Sequence, residues 1–258
     1  MKKSVISLSG GMDSTSLLLH LLAKGDEVFA LSFNYGQRHS VELDRVKKNI
    51  EYLSANSKIS KRLHHKIVDI SFIGDLYDCA LLGKGEIPEG HYSQENQKQT
   101  VVYNRNAIFS SIVFGYALSI SGKNKEEIDI CLGVHAGDFS VYPDCREEFF
   151  IAIENAFKLG NWDSEVINNY LPYLNINKEG ILKDAIKSCT KLNLNFNIIF
   201  KNTNTCYKPN KKGESCGKCG SCSERIEAFI NLDLKDPVKY VEKDWNKIKK
   251  HTLSILKK

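Results

Sequence analysis

The stretch from Ser7 to Leu22 reads SLSGGMDSTSLLLHLL, and it decides the fold. The apolar run that leads into it predicts a short buried strand over Val5–Ser9. Leucines then recur at helical spacing, which predicts a helix over Asp13–Lys24 that ends at Gly25. Two glycines and several small polar residues join these elements. Such a turn leaves backbone amides uncovered at the start of the helix.

The residues of this turn suit an anion. Gly10 and Gly11 carry no side chain that would block a close approach, and glycine permits unusual backbone dihedrals. The helix begins with unpaired N–H groups and a partial positive charge, and Ser9, Asp13 and Ser14 can cap that end. Ligands of an open parallel sheet bind beyond the carboxyl ends of its strands, where this turn lies. The sequence therefore predicts a phosphate cradle, and an ordinary tight strand-to-helix turn is the alternative.

Two common phosphate-binding motifs are missing from the chain. Neither G-x-x-x-x-G-K-[ST] nor G-x-G-x-x-G occurs, which argues against a Walker-type site and against a dinucleotide fingerprint. The run Ser-Gly-Gly-x-Asp-Ser from Ser9 to Ser14 instead resembles the pyrophosphate loop (PP-loop) of N-type ATP pyrophosphatases. That resemblance implies ATP, an acyl or imidoyl adenylate, and release of pyrophosphate.

Further strands and helices alternate along the chain. Hydrophobic patterns predict strands over Val28–Phe33, Lys66–Ile70, Asp129–Gly133 and Phe196–Phe200, and helices around Leu43–Leu53 and over Asn106–Ser121, Glu147–Leu159 and Lys178–Lys191. This order predicts an α/β fold with a doubly wound parallel sheet. Residues 71–100 lack clear periodicity and predict a long loop over a site. We expect a nucleotide-binding domain at 1–200, a cysteine-rich segment at 201–235 and a basic amphipathic tail at 236–258.

The composition is typical of a soluble globular protein. Of the 258 residues, 42% are hydrophobic and 26% are charged, which excludes a disordered chain. The net charge of +5 suits phosphate-bearing ligands and is too weak to indicate a nucleic-acid partner. No apolar run is long enough to span a membrane, and the apolar run behind Met1-Lys2-Lys3 is too short for a signal peptide. We therefore expect a cytoplasmic protein.

Four of the eight cysteines lie close together. Cys206, Cys216, Cys219 and Cys222 form the pattern C-x9-C-x2-C-x2-C, which suits four thiolates around a tetrahedral Zn²⁺. Iron–sulfur ligation and redox chemistry are the alternatives. Because all four ligands would come from the protein, we expect a closed, structural zinc site. The cysteines at positions 79, 131, 145 and 189 are scattered and read as core residues.

The last part of the chain predicts one further helix. Between Tyr240 and Lys258, an apolar stripe through Trp245, Ile248, Thr252 and Ile255 is flanked by lysines. We expect this helix to pack its stripe on its own domain, with docking to a partner or to a nucleic acid as the alternative.

Three further stretches extend the resemblance to one family. They are FNYGQRH from Phe33 to His39, GVHAGDFSVYPDCR from Gly133 to Arg146, and CSERIEAF from Cys222 to Phe229. Together with the loop and the cysteines they are similar to the 7-cyano-7-deazaguanine synthases of queuosine biosynthesis. The resemblance runs from about Lys3 to Tyr240.

The resemblance implies an ATP-dependent carbon–nitrogen ligase that acts on 7-carboxy-7-deazaguanine. The carboxylate attacks the α-phosphate of ATP, ammonia displaces AMP to give an amide, and a second adenylation of the amide oxygen leads to the nitrile. Such a reaction needs its charges neutralised and its atoms held in line. The resemblance also implies Mg²⁺ with ATP and a homodimer.

Site residues are carried over by position. The resemblance implies catalytic roles for Asp13, Arg105 and Lys178. It implies ATP contacts for Ser9, Gly10, Gly11, Asp13, Ser14, Tyr35, Gln37, Arg38 and His39. It implies substrate contacts for Arg105, Asn106, Asp138, Asp144 and Arg146. Asp138 and Asp144 can accept from a guanine-like edge, with turn residues around Pro143 as the alternative, and Arg146 can face the substrate carboxylate. His135 and the pair His64-His65 lack the spacing of metal ligands and read as structural.

Several positions beside the expected substrate pocket depart from the usual family pattern: Val102-Tyr103-Asn104, His135, Gly137 and Val141. These departures leave a second hypothesis open, in which the activated acyl group passes to another amine, such as a protein, or the reaction stops at the amide. Two other classes remain as lesser alternatives: a tRNA-thiolating enzyme and a zinc-ribbon nucleic-acid binder.

Overall fold

The computed structural model describes residues 1–37, 41–77, 79–82 and 101–256. Within them the strands are β1 (Lys3–Ser7), β2 (Glu27–Asn34), β3 (Leu63–Asp69), β4 (Ile128–Cys131) and β5 (Ile167–Tyr170). The helices are α1 (Met12–Lys24), α2 (Val41–Ser54), α3 (Ser57–Ser60), α4 (Ile73–Leu76), α5 (Arg105–Ser121), α6 (Ala136–Val141), α7 (Glu147–Gly160), α8 (Lys178–Leu192), α9 (Phe196–Lys201), α10 (Gly220–Asn231) and α11 (Trp245–Leu256).

The five strands form one parallel sheet in the order β3-β2-β1-β4-β5. The prediction of a doubly wound parallel sheet is confirmed. The direction of winding reverses between β1 and β4, which makes the edge beyond their carboxyl ends the expected ligand site. The loop after Ser7 lies at that reversal.

Two hydrophobic cores cover the two faces of the sheet. Neighbouring residues of one strand point to opposite faces, so Ile6 packs among the leucines of α1 while Val5 packs with Val113 of α5. Helices α1 and α8 lie together over the first face, and α5 lies across β1 and β4 on the second. The five leucines of α1 are thereby fully buried.

Two strand assignments differ from the sequence-based expectation. Phe196–Phe200, predicted as a strand, belongs to helix α9, because the side chain of Asn195 accepts from the Ile198 N–H and starts a helical turn. Strand β5 was not predicted. It has only one fully buried residue, Ile167, and pairs along one edge only, so its apolar signal is weak.

The C-terminal part packs on the rest of the chain. Ile248 and Thr252 of α11 are buried, as the apolar stripe predicted, and Ile248 joins a cluster with Cys219, Cys222 and Tyr240. The four scattered cysteines are all buried, which confirms their reading as core residues. None of the described helices is both long and apolar enough to cross a membrane.

Two expectations are left without a structural outcome. Most of the long loop predicted over residues 71–100 lies outside the described residues, which hold only α4 and a short 3-10 turn at Ala80–Leu82 in that range. The division into segments at 1–200, 201–235 and 236–258 stays a prediction.

Candidate active site

A cleft with a cavity volume of about 250 Å³ opens beyond the carboxyl ends of β1 and β4. Most residues predicted for the site line it: Ser9, Gly11, Asp13, Ser14, Tyr35, Gln37, Arg105, Asn106, Asp138, Asp144 and Lys178. Residues from distant parts of the sequence therefore meet at the place where the sheet topology predicts a ligand.

Four predicted residues are not part of this group. Gly10 does not line the cleft, and Arg146 has an exposed side chain at the start of α7. Arg38 and His39 lie outside the described residues. Their roles stay predictions.

The loop before α1 is held open by its own hydroxyl groups. Ser9 Oγ lies 2.9 Å from Ser14 Oγ and accepts from the Gly11 N–H at 3.2 Å. Gly10 has φ +80°, and a Cβ there would lie 2.7 Å from Val46 Cγ2 and 2.9 Å from the Glu42 carbonyl oxygen. Gly11 is the N-cap residue and provides no side-chain cap. The first turn of α1 thus presents backbone N–H groups to the cleft, as a phosphate cradle requires.

Lys178 reaches this loop from the first turn of α8. Its Nζ donates to Glu224 Oε2 at 2.7 Å and lies 3.4 Å from Asp13 Oδ2. Burial opposes the charge of the ammonium, but Asp13 and Glu224 outweigh that cost and raise the pKa of Lys178 above its ordinary value. The cleft therefore holds a fixed positive charge beside the loop.

The surroundings of Asp13 fit a divalent cation. Its Oδ1 is buried and has no hydrogen-bond partner in the part of the chain that the structure describes. Three carboxylates, those of Asp13, Asp138 and Glu224, raise the pKa of Lys178. Because one ammonium faces three carboxylates, this cluster of four side chains has excess negative charge. Mg²⁺ prefers oxygen ligands and takes one or two carboxylates together with phosphate oxygens. Asp13 is the residue best placed to hold it.

The opposite wall of the cleft carries Arg105 at the start of α5. The charge of its guanidinium favours the ionised forms of Tyr35 and Glu42, an effect smaller than that of their burial on the pKa. Burial raises the pKa of Tyr35 to about 12 and that of Glu42 to about 7. Glu42 Oε1 also lies 3.5 Å from Asn204 Nδ2. This wall can present one permanent cation and one titrating carboxyl group to a ligand.

The segment expected to meet the substrate is tied to α5. Asn106 Nδ2 donates to the Asp144 carbonyl oxygen at 3.2 Å and lies 3.4 Å from Cys145 Sγ. Two of the departures from the family pattern also find a local reason. Asn104 has φ +59°, a conformation that asparagine tolerates better than most residues, and His135 caps α6 by accepting from the Gly137 N–H at 3.0 Å.

Sequence reasoning missed several residues of the cleft. The sequence does not single out Glu42, Asn204 or Tyr207. Glu224, which contacts Lys178 without lining the cavity, enters only as part of the CSERIEAF stretch. His135 was read as structural, and it does cap α6, but its Nε2 also lies 3.2 Å from Lys178 Nζ. Glu42 stands three residues after the FNYGQRH stretch, but no local pattern of the sequence marks it as a residue of the cleft.

The four clustered cysteines form a closed tetrad. One Sγ from each of Cys206, Cys216, Cys219 and Cys222 lies within 4.8 Å of the others. A tetrahedral Zn²⁺ with Zn–S bonds of about 2.3 Å requires sulfur separations of about 3.8 Å, and Cys216 Sγ and Cys222 Sγ are 3.9 Å apart. Backbone N–H groups of Lys208 and Cys216 donate to Cys206 Sγ, as suits a thiolate. The donor set fits a structural zinc ion.

The tetrad is part of the cleft rather than a remote appendage. Cys206 and Tyr207 line the cavity, and Ser221 of α10 does so as well. Helix α10 begins directly after Cys219, its N-cap residue. A metal bound here would fix one wall of the cleft.

Comparison with known proteins identifies the family. The pattern of the family described as "Queuosine biosynthesis protein QueC" matches residues 3–233. A 7-cyano-7-deazaguanine synthase of Caldicellulosiruptor saccharolyticus is 42% identical, and the match covers 95% of this chain and 98% of that protein. One of Methanoregula boonei is 40% identical over 92% of this chain and 99% of its own length. The chain therefore belongs to the QueC family of queuosine biosynthesis proteins.

Proposed function

We propose that this protein is an ATP-dependent 7-cyano-7-deazaguanine synthase, a carbon–nitrogen ligase that releases AMP and pyrophosphate. The observation that carries the proposal is the cleft at the sheet reversal. There Lys178 lies beside the glycine loop and 3.4 Å from Asp13, whose buried Oδ1 has no hydrogen-bond partner among the described residues. Arg105, Asp138 and Asp144 line the same cavity. The names of relatives similar over nearly the whole chain support the same activity.

The wall of the cleft that contains the loop at residues 9–14 and Lys178 binds the phosphates of ATP. The loop from Ser9 to Ser14 binds the β- and γ-phosphates through backbone N–H groups, and Lys178 holds the α-phosphate. Mg²⁺, when bound at Asp13, neutralises phosphate charge. A substrate carboxylate oxygen then attacks the α-phosphorus, the bond to the bridging oxygen breaks, and pyrophosphate leaves. Fixed positive charge at the reacting phosphate stabilises this transition state.

Asp138, Asp144 and Arg105, which line the same cavity, bind 7-carboxy-7-deazaguanine. Asp138 and Asp144 accept hydrogen bonds from the amino group and ring N–H of the base, and Arg105 faces the carboxylate. Ammonia attacks the acyl carbon, loses a proton and displaces AMP, which gives the amide. The amide oxygen attacks the α-phosphorus of a second ATP and displaces pyrophosphate. The imidoyl adenylate then loses AMP, the nitrogen having released both of its protons, and the nitrile remains.

Nitrile formation is favoured over the alternatives considered from the sequence. Relatives at about 40% identity over more than nine-tenths of the chain bear the name of the nitrile-forming synthase. Transfer of the acyl group to another amine, or arrest at the amide, has no comparable support. A homodimeric state and a cytoplasmic location belong to this proposal and rest on the sequence resemblance and composition alone.

The test is product analysis by mass spectrometry. The purified chain is incubated with 7-carboxy-7-deazaguanine, ATP, Mg²⁺ and ammonium, beside a control without ammonium and the variant Asp13→Ala. We expect nitrile with two AMP per product, and no product from the variant. Accumulation of amide alone, or of a persistent adenylate, would refute nitrile synthesis, and absence of any AMP would refute the adenylation.

A further inference from the structure

Lys178 is held in place by a helix that starts at the cysteine tetrad. Glu224 lies two residues beyond Cys222, and its Oε2 accepts from Lys178 Nζ at 2.7 Å. Asp13 Oδ2 is farther from the ammonium, at 3.4 Å. The shortest contact of the lysine in this group is thus made by the cysteine-rich segment and not by the nucleotide loop.

His135 does not replace Glu224 as the anchor of the lysine. Its Nδ1 accepts from the Gly137 N–H at 3.0 Å, so a neutral ring carries its proton on Nε2. That Nε2 lies 3.2 Å from Lys178 Nζ and 3.5 Å from Asp138 Oδ2. A protonated Nε2 is a donor, and an ammonium has no lone pair to offer it. The ring therefore packs against Lys178 without accepting from it, so a carboxylate must accept from the ammonium.

The space that Glu224 occupies exists because residue 137 has no side chain. A Cβ on Gly137 would lie 2.5 Å from Glu224 Oε1 and 2.8 Å from His135 Cε1. Both distances are shorter than real Cβ contacts, so a larger residue would displace the carboxylate from its position beside Lys178. Gly137, His135 and Glu224 therefore form one packed unit around the lysine.

We propose that Glu224 is a positioning residue for Lys178, which couples the metal-binding segment to the phosphate cleft through a single carboxylate. The role assigned to Lys178 rests on the proposed function. Glu224 itself does not line the cavity and acts through the lysine. Its side chain is carried by α10, whose N-cap is Cys219. Order in the tetrad is thereby transmitted to the charge that faces the α-phosphate.

The first test measures how accessible Lys178 is, without any turnover. Acetylation by acetic anhydride is followed residue by residue with mass spectrometry in the zinc-loaded wild type, Glu224→Ala and Glu179→Gln. Glu179 pairs with exposed Lys183 at 2.6 Å on the same helix and serves as the matched control. We expect Glu224→Ala to raise the acetylation rate of Lys178 severalfold and Glu179→Gln to change only Lys183. An unchanged Lys178 rate in Glu224→Ala would overturn the proposal.

The second test separates positioning from stability. Initial rates of pyrophosphate release give kcat and KM for ATP in Glu224→Ala and Glu224→Gln, with zinc content and melting temperature measured for each variant. Because a misplaced group costs up to about a hundredfold in rate, we expect kcat of Glu224→Ala to fall about tenfold to a hundredfold, with KM changed far less. Glu224→Gln keeps an acceptor oxygen and should recover part of that loss. Wild-type kcat in both variants would contradict the positioning role.

Gly137→Ala supplies an independent check of the packed unit. We expect it to lower kcat in the wild-type background and to add little in a Glu224→Ala background, because both changes remove the same contact. Fully additive losses would refute the coupling. If the wild type itself releases no pyrophosphate, the proposed function fails, and the acetylation result still decides whether Glu224 holds Lys178.

Discussion

Asp13 has two carboxylate oxygens with different surroundings. Oδ2 faces the ammonium of Lys178, whereas Oδ1 is buried without a hydrogen-bond partner among the described residues. A buried, unpaired acceptor costs free energy of folding, typically about 1–3 kcal/mol. The unpaired Oδ1 of Asp13 therefore indicates an atom that binds a ligand and does not stabilise the fold.

Replacing Asp13 should therefore separate activity from stability. We expect Asp13→Ala to lose pyrophosphate release by about a hundredfold or more, since the carboxylate proposed to hold the charge-neutralising Mg²⁺ at the phosphates is removed. The melting temperature should stay within a few degrees of the wild type, because Glu224 still accepts from the Lys178 ammonium at 2.7 Å and the buried, unpaired Oδ1 is removed as well. Stopped assays for pyrophosphate and a thermal melt measure the two effects. Activity equal to the wild type would contradict the assignment of the loop.

Glu42 gives the cleft a pH-dependent cost. Burial raises its pKa from 4.5 to about 7. The folded chain therefore binds the proton more tightly than the unfolded chain, and stability is lost as the pH rises from about 4.5 to about 7. Each pKa unit corresponds to about 1.4 kcal/mol.

Glu42→Gln should remove this dependence. The amide keeps the size of the side chain and carries no charge, so the variant should gain on the wild type as the pH rises. We expect the difference in melting temperature to favour the variant by several degrees more at about pH 8 than at about pH 5. Asp44→Asn, at an exposed position of the same helix, is the control. Parallel melting curves for wild type and Glu42→Gln at all pH values would rule out the buried titration.

At the scale of elements, the cysteine tetrad and the start of α10 form one structure. The thiolates can converge only when a metal balances their charge, so the binding energy of the ion is also folding energy of this segment. Helix α10 in turn packs against α8, which carries Lys178. Loss of the metal should reach beyond the segment that binds it.

Cys219→Ser should lose zinc and stability together. Elemental analysis is expected to show less than one zinc per chain, and chemical denaturation to show a lower free energy of unfolding by several kcal/mol. Cys189→Ser is the matched control, because Cys189 is buried in α8 away from the tetrad. A Cys219→Ser protein that unfolds like the wild type without bound metal would exclude a structural site.

Local patterns predicted most elements, and distant contacts set the rest. The helix over α1 and the parallel sheet follow from leucine spacing and from strand-helix alternation, which are properties of neighbouring residues. Phe196–Phe200 has an apolar run that suits a strand equally well, and only the cap by Asn195 decides for a helix. The loop and the cysteines of the site could be read from their motifs. Glu42 and Glu224 could not, because their partners lie more than forty residues away along the chain.

At the scale of the whole molecule, a buried ion pair joins the cysteine-rich segment (201–235) to the tail (236–258). Arg225 Nε donates to Asp236 Oδ2 at 2.6 Å, and Arg225 Nη2 donates to Asp236 Oδ1 at 3.0 Å. Tyr240 donates to the same carboxylate at 2.7 Å, and Thr203 Oγ1 accepts from Arg225 Nη1 at 2.7 Å. Both charged side chains are buried, and two hydrogen bonds join them. This network connects α10, the segment after α9 and the stretch before α11.

Asp236→Ala should destabilise the protein strongly. Removal of one partner leaves a buried guanidinium without its counter-charge, which typically costs about 3–5 kcal/mol. Urea denaturation should show that loss, and limited proteolysis should cut first near the tail. The control is Asp163→Ala, which removes an exposed pair with Lys125. Equal stabilities for the two variants would contradict a central role for the buried pair.

The cleft also depends on the order in which the chain is made. Its loop at residues 9–14 leaves the ribosome first, whereas Lys178, Asn204 and Tyr207, which complete the cavity, are synthesised last. Domains tend to fold from the amino-terminal side during synthesis. A nascent chain can thus bury its leucines early but has no finished cleft until residues up to Ser221 have been synthesised and folded. A ligand of the cleft would then find its complete site only on chains that extend beyond that residue.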